Sequence, residues 1–232
     1  MTEEEWQTCN DPHYALEFLC GEGGPSDRKL RLFACACCER VANLADPGLL
    51  PLLQLAQRCA DSLASVVDLA LCRATARERF EPWGDSDPHY RAGEAVAEAI
   101  ILAADTDGVS SHEGVYAHYT VGASGMAAVA MEHTQRDDGA LFAEFDCQSV
   151  FLRDIFGNPF RPVAFDSVWG TSDVTALATG IYGERAFDRL PILADALQDA
   201  GCDSADLLNH LRDPNAAHVR GCSALDRVLG KE

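Results

Sequence analysis

The sequence lacks the features of a membrane or secreted protein. No stretch reaches the roughly 18 consecutive apolar residues that a membrane-spanning helix requires. The first residues, Met1 to Trp6, are acidic, whereas a secretory signal begins with basic residues and continues with apolar ones. We therefore expect a cytoplasmic protein with no membrane among its partners.

Positive charge is scarce. Only 18 Lys and Arg residues stand against 37 Asp and Glu residues in a chain of 232, which gives a formal net charge of −19. Binding to a phosphate backbone depends on clustered cations, so we expect no nucleic-acid partner. An acidic surface suits a basic protein partner or keeps the chain in solution.

The chain also lacks strand-like alternation, a phosphate-binding loop and a dinucleotide fingerprint. Apolar residues instead recur three and four positions apart, as in Leu30, Phe33, Cys37, Val41 and Leu44. This spacing is typical of one face of a helix. We predict an all-α fold, a compact multi-helix bundle.

The 47% of hydrophobic residues suffices for one sizeable core or two small ones, and we predict a single domain over residues 1–232. Its possible sub-regions are a helical N-terminal part at 1–80, a variable insert at 81–146 and a helical C-terminal part at 147–232.

Cap and breaker residues mark the predicted helix ends. Asp11 and Ser26 precede helices as N-caps, and one long helix is predicted from Leu49 to about Phe80. The C-terminal part has short helices predicted at 147–156, 172–182, 188–200, 204–211 and 222–229. Between the first two of these, Pro159 and Pro162 exclude regular helix. We predict an extended, proline-rich strap with aromatic anchors at residues 160–165.

Ten cysteines are many for a chain in a reducing compartment, where they serve as thiols or metal ligands. Cys35 and Cys38 are three apart, which places them on one face of a helix. Far along the chain, His218 and Cys222 form a second pair. Together the four side chains supply three thiolates and an imidazole, a set that closes a tetrahedral zinc site.

This zinc site, formed by Cys35, Cys38, His218 and Cys222, is our candidate metal centre. Gly221 would let the chain turn tightly around the ion. If the ligands differ, the nearest substitutes are Cys37, Cys9 and His210. The alternative is that the cysteines simply pack as small apolar residues and His218 caps a helix.

Other polar groups carry weaker signals. The Cys-x-x-Cys pair lies inside a helix, whereas redox-active pairs lie at a helix N-terminus. His112, Glu113 and His118 fit a solvated polar face better than acid/base chemistry, and Ser124 lacks the spacing of a nucleophile elbow. Arg153, Asp154 and Arg161 are interpreted as a structural clamp around the strap.

Five segments resemble one family of bacterial proteins, which some large-genome bacteria carry in many paralogous copies. They are residues 26–38 (SDRKLRLFACACC), 152–162 (LRDIFGNPFRP), 187–197 (FDRLPILADAL), 218–222 (HVRGC) and 229–231 (LGK). The likeness covers about residues 1–80 and 147–232. The family has no established activity, so the resemblance implies no reaction, but it marks both metal-ligand segments as family features.

We expect a non-enzymatic interaction or regulatory module with an unknown protein partner, stabilised by structural zinc. Two alternatives belong to other classes. A metal-dependent hydrolase would use three protein ligands and a water, with His112, Glu113 or His118 as the base. A soft-metal buffer would use the thiol-rich helix.

Overall fold

The computed structural model describes residues 1–21, 24–45, 47–65 and 139–231, together with a few positions between 67 and 131. The regular structure of these residues is helical, with no strand among them, which confirms the predicted all-α fold. Within the same residues, no helix is both long and apolar enough to cross a membrane.

The chain divides into two compact units, Met1–Ser149 and Val150–Glu232. The second unit nearly coincides with the C-terminal sub-region at 147–232 that the sequence suggested. Each unit is described by itself below.

The first unit contains four helices near its N-terminus: α1 (Glu3–Thr8), α2 (Pro12–Gly21), α3 (Asp27–Val41) and α4 (Leu50–Ala60). A further helix, α5 (Gly139–Phe156), begins in this unit and ends in the second. The predicted caps are present. The Asp11 carboxylate accepts from the backbone N–H groups of His13 and Tyr14, and the Ser26 hydroxyl accepts from that of Lys29.

The middle of helix α3, residues 32–38, is buried on all sides. The sequence predicted burial of one face of this helix, the face that carries Phe33 and Cys37. Leu32, Cys35 and Cys38 lie outside that face and are equally inaccessible. A helical segment that is apolar all round, as residues 32–38 are, belongs in the middle of a core. The three cysteines of α3, Cys35, Cys37 and Cys38, are therefore fully buried in this unit.

Helix α4 ends at Ala60, so the prediction of one helix from Leu49 to about Phe80 is wrong. Ser62 adopts a left-handed conformation with a φ of 58°. The N–H of Leu63 then bonds to the carbonyl of Arg58 at 2.8 Å, which closes the helix end. The sequence did not indicate this helix end, because apolar residues continue at helical spacing beyond Ala60 and serine is not a typical helix terminator.

An ion pair between the partly exposed Arg40 and the buried Glu144 joins α3 to α5 in the first unit. Arg40 Nε lies 2.8 and 2.7 Å from the two carboxylate oxygens of Glu144, whose side chain is 1% exposed. Gln148 donates a further hydrogen bond to the same carboxylate. Burial raises the pKa of Glu144, although Arg40 opposes that shift.

The second unit adds four helices: α6 (Ser172–Glu184), α7 (Leu190–Asp199), α8 (Ala205–Arg212) and α9 (Ser223–Leu229). Helix α7 packs against α6 and α8, and α9 packs against α6 and α8. Their shared core is lined by Val174, Ile181, Leu193, Leu197, Leu211 and Leu225. This arrangement brings the end of α8 and the start of α9 to one region.

The strap predicted between α5 and α6 has no helical structure over residues 157–166. Phe165 anchors it by an edge-on contact with Trp169, with ring centroids 5.7 Å apart. Phe160, the other expected anchor, is exposed.

Replacing Arg40 with Met should destabilise the first unit by about 3 kcal/mol, because it leaves the Glu144 carboxylate buried and unpaired. This loss in the free energy of unfolding should be smaller at about pH 5 than at about pH 7.5. Without Arg40 the pKa of Glu144 rises further, so acid neutralises the buried charge in the folded state before it does so in the unfolded state. Urea unfolding at the two pH values measures both effects.

The matched control is Arg189→Met, which breaks the exposed pair with Glu184 (3.1 Å). It should change the free energy of unfolding by no more than about 0.5 kcal/mol. Equal losses in the two variants would show that the Arg40–Glu144 pair does not contribute as a buried pair.

Candidate metal centre

Four side chains of the second unit converge on one point: Asp154, His210, His218 and Cys222. One nitrogen, oxygen or sulfur atom from each lies within 4.8 Å of the corresponding atom of every other. Within the described part of the chain, these four form the one group of three or more such side chains that could hold a metal ion.

The contacts within the group are short. His218 Nδ1 lies 2.8 Å from Asp154 Oδ1, and His210 Nε2 lies 3.1 Å from the same oxygen. Cys222 Sγ lies 3.3 Å from His210 Nε2 and 3.7 Å from His218 Nδ1. Tetrahedral zinc with bonds of ~2.0–2.3 Å holds its ligand atoms about 3.3–3.7 Å apart. The group therefore has nearly the dimensions of a zinc site.

The last turn of α5 carries Asp154 into the group. The helix ends at Phe156 and is followed by Gly157, which has a φ of +71° and whose N–H bonds to the carbonyl of Arg153. A side chain at position 157 would have its Cβ 3.1 Å from the Ser223 hydroxyl. Glycine thus allows the end of α5 to approach the start of α9 closely.

A tight turn carries His218 and Cys222. Gly221 has a φ of +95°, which favours glycine. Within the same turn the backbone N–H of Val219 donates to Asp154 Oδ2 at 2.9 Å. This bond orients the carboxylate so that its other oxygen, Oδ1, faces both histidines.

His210 comes from the last turn of α8 and is the most accessible member of the group. Its side chain is 29% exposed, compared with 7% for His218 and 4% for Asp154. Cys222 is fully buried. The rings of the two histidines meet edge to face, with centroids 5.0 Å apart.

The electrostatics favour an anionic Asp154. Burial alone would raise its pKa, but the hydrogen bonds from His210 and His218, together with their charge, lower it below the usual value. The opposite holds for Cys222, whose pKa is well above that of a free thiol because of burial and the nearby Asp154 charge. Without a bound cation, Cys222 is a neutral thiol.

The geometry does not match a Cys–His–Asp catalytic triad. In a triad, the acid and the nucleophile contact opposite nitrogens of one imidazole ring. Here Asp154 and Cys222 contact the same nitrogen, Nε2 of His210, and both also approach Nδ1 of His218. One nitrogen carries at most one proton, whereas a cation at the common point could contact one atom of each of the four side chains at once.

The structure brings together two of the four ligands predicted from the sequence, His218 and Cys222. Cys35 and Cys38 belong to the first unit, where they are buried on α3, and they are not members of the converging group. Cys38 Sγ donates a hydrogen bond to the carbonyl of Ala95 at 3.1 Å. Their role as ligands stays a prediction.

Among the substitutes, His210 is in the group. Cys37 is buried on α3, and Cys9 donates to the Asp11 carbonyl. Asp154 was missed, because it was interpreted as a clamp for arginines. Its hydrogen bonds go instead to His210, His218 and the Val219 N–H. An available signal was the apolar residues near it, Leu152, Ile155 and Phe156, although Arg153 directly precedes it.

Several other candidate residues lie outside the described residues: His112, Glu113, His118 and Ser124.

Replacing Gly157 with Ala should destabilise the second unit by about 1–3 kcal/mol, since the new Cβ meets Ser223 and the left-handed φ is strained. The matched control is Gly180→Ala within α6, where nothing lies near the added carbon. That change should stabilise the unit by about 0.5–1 kcal/mol. Amide hydrogen exchange in α9, measured with a chelator present, should be faster in Gly157→Ala than in Gly180→Ala. Similar exchange rates in the two variants would contradict the packing argument.

We compared the chain with protein-family models, curated proteins and solved structures, and none of them matched it. The resemblance to a paralogue-rich bacterial family therefore stays a prediction from sequence motifs, and the evidence for function comes from the side chains themselves.

Proposed function

We propose that this protein is a non-enzymatic interaction module whose second unit is stabilised by a structural zinc ion. The ligands in this proposal are Asp154, His210, His218 and Cys222. The observation that carries it is the convergence of four donor atoms of different chemistry on one buried point.

The donor set supports zinc over other common cations. Magnesium and calcium prefer oxygen ligands, whereas zinc accepts thiolate, imidazole and carboxylate together. Charge supports the same choice, because the Asp154 carboxylate and a Cys222 thiolate together neutralise one divalent cation.

The surroundings of the group support a structural role. While all four protein ligands are bound, tetrahedral zinc has no position left for a substrate or a reactive water. Three of the four side chains are almost fully buried. A metal here would join the end of α5, the end of α8 and the start of α9, and its binding free energy would add to the stability of the unit.

The charge distribution supports a basic partner. The first 149 residues contain 25 acidic and 10 basic side chains, whereas residues 150–232 contain 12 acidic and 8 basic ones. The negative charge is therefore concentrated in the first unit. A positively charged protein surface is the partner that this field would attract.

The two alternatives have less support. A metal-dependent hydrolase needs an open coordination position, and the four-donor group offers none without the loss of a ligand. A thiolate buffer needs accessible sulfur, whereas Cys35, Cys37 and Cys38 are fully buried on α3.

Purified protein should contain about one equivalent of zinc by elemental analysis, and a chelator should lower its melting temperature. His218→Ala and Cys222→Ser should each lose the metal and that stabilisation, because each removes a ligand.

Two control variants sharpen this test. Cys202→Ser changes a buried cysteine of the same core that is not in the group, and Cys35→Ser removes a ligand predicted only from the sequence. Both should keep the zinc. Loss of zinc in Cys35→Ser would restore the ligand set predicted from the sequence, and a wild-type protein free of metal would refute the proposal.

Zinc binding at neutral pH should release at least about one proton, because the pKa of the Cys222 thiol is raised and zinc binds the thiolate. The affinity for zinc should therefore fall as the pH falls. Calorimetric titration in two buffers of different ionisation enthalpy counts the protons released. Binding without proton release would mean that Cys222 is not a ligand.

A further inference from the structure

The four members of the metal group are not held equally. Asp154, His218 and Cys222 have side chains that are 7% exposed or less. His210, at 29%, is the one through which solvent approaches the group.

Backbone groups of one turn also hold the three buried members in place. His218 and Cys222 lie on the same five-residue turn, and the N–H of Val219 in that turn holds the Asp154 carboxylate. His210 stands on a different helix, α8, two residues before its end. Its contacts with the others are made by its ring, with Asp154, Cys222 and the ring of His218.

We propose that His210 is the replaceable ligand of the site, at the position through which the metal enters and leaves and where an external imidazole can take its place. This inference rests on the proposed zinc site. Asp154, His218 and Cys222 form a cradle of one oxygen, one nitrogen and one sulfur that keeps the metal when His210 departs.

The exchange is a substitution of one electron-pair donor for another. The bond between the metal and His210 Nε2 breaks, and a lone pair of the incoming nitrogen forms a bond in its place. No electron is transferred, and the three cradle bonds stay intact. The same opening would let a chelator reach the metal.

The test compares His210→Ala with His218→Ala, each loaded with zinc or with cobalt as a coloured substitute. His210→Ala should keep about one equivalent of metal but lose it to EDTA at least about tenfold faster than wild type, since even loss of an outer-shell partner weakens metal sites by about that factor. Added imidazole should slow the loss and shift the cobalt spectrum. His218→Ala should bind no metal that survives gel filtration.

The control is Asn209→Ala, an exposed neighbour on α8, which should release zinc at the wild-type rate. A second measurement needs no variant. In zinc-loaded wild-type protein, diethyl pyrocarbonate should modify His210 before His218, and zinc loss should follow that modification.

The possible failures are distinguishable. If wild-type protein binds no metal, the proposed zinc site itself fails. If wild type binds zinc but the two histidine variants lose it equally, or if His218 is modified as fast as His210, the site stands and the special role of His210 is refuted.

Discussion

The polar interior of the second unit depends on how the Asp154 carboxylate is accommodated. Removing a carboxylate from water is costly unless hydrogen bonds or opposite charges compensate. Asp154 is almost fully buried, and its carboxylate is hydrogen-bonded by three groups: the rings of His210 and His218 and the N–H of Val219. The last turn of α5, the end of α8 and the turn before α9 are thereby joined at one anion.

That anion also gives the group its chemistry. The two imidazole nitrogens that hydrogen-bond the Asp154 carboxylate are also approached by Cys222, which is a neutral thiol in the absence of a cation. A divalent cation would convert the thiol into a thiolate and replace these contacts with four directed bonds. One ion would therefore offset the cost of burying both the carboxylate and the sulfur.

The first unit compensates a buried acid differently. Glu144 pairs with Arg40, a permanent cation within the chain, so no external ion is needed. The cysteines of α3 lie in the same core. Thiols in this chain therefore lie in two different environments. Those of α3 are buried in a core, whereas Cys222 is surrounded by Asp154, His210 and His218 and is a candidate metal ligand.

The sequence by itself determined the helical class, the caps at Asp11 and Ser26, and the pairing of His218 with Cys222, because each depends on residues within about one turn of one another. The tertiary structure decided which remote residues complete the group. Asp154 lies 64 positions before His218, and no local pattern reports a contact at that separation. It also decided that the middle of α3 is buried on all sides and that α4 stops at Ala60, since both depend on packing partners and backbone conformations that periodicity alone does not encode.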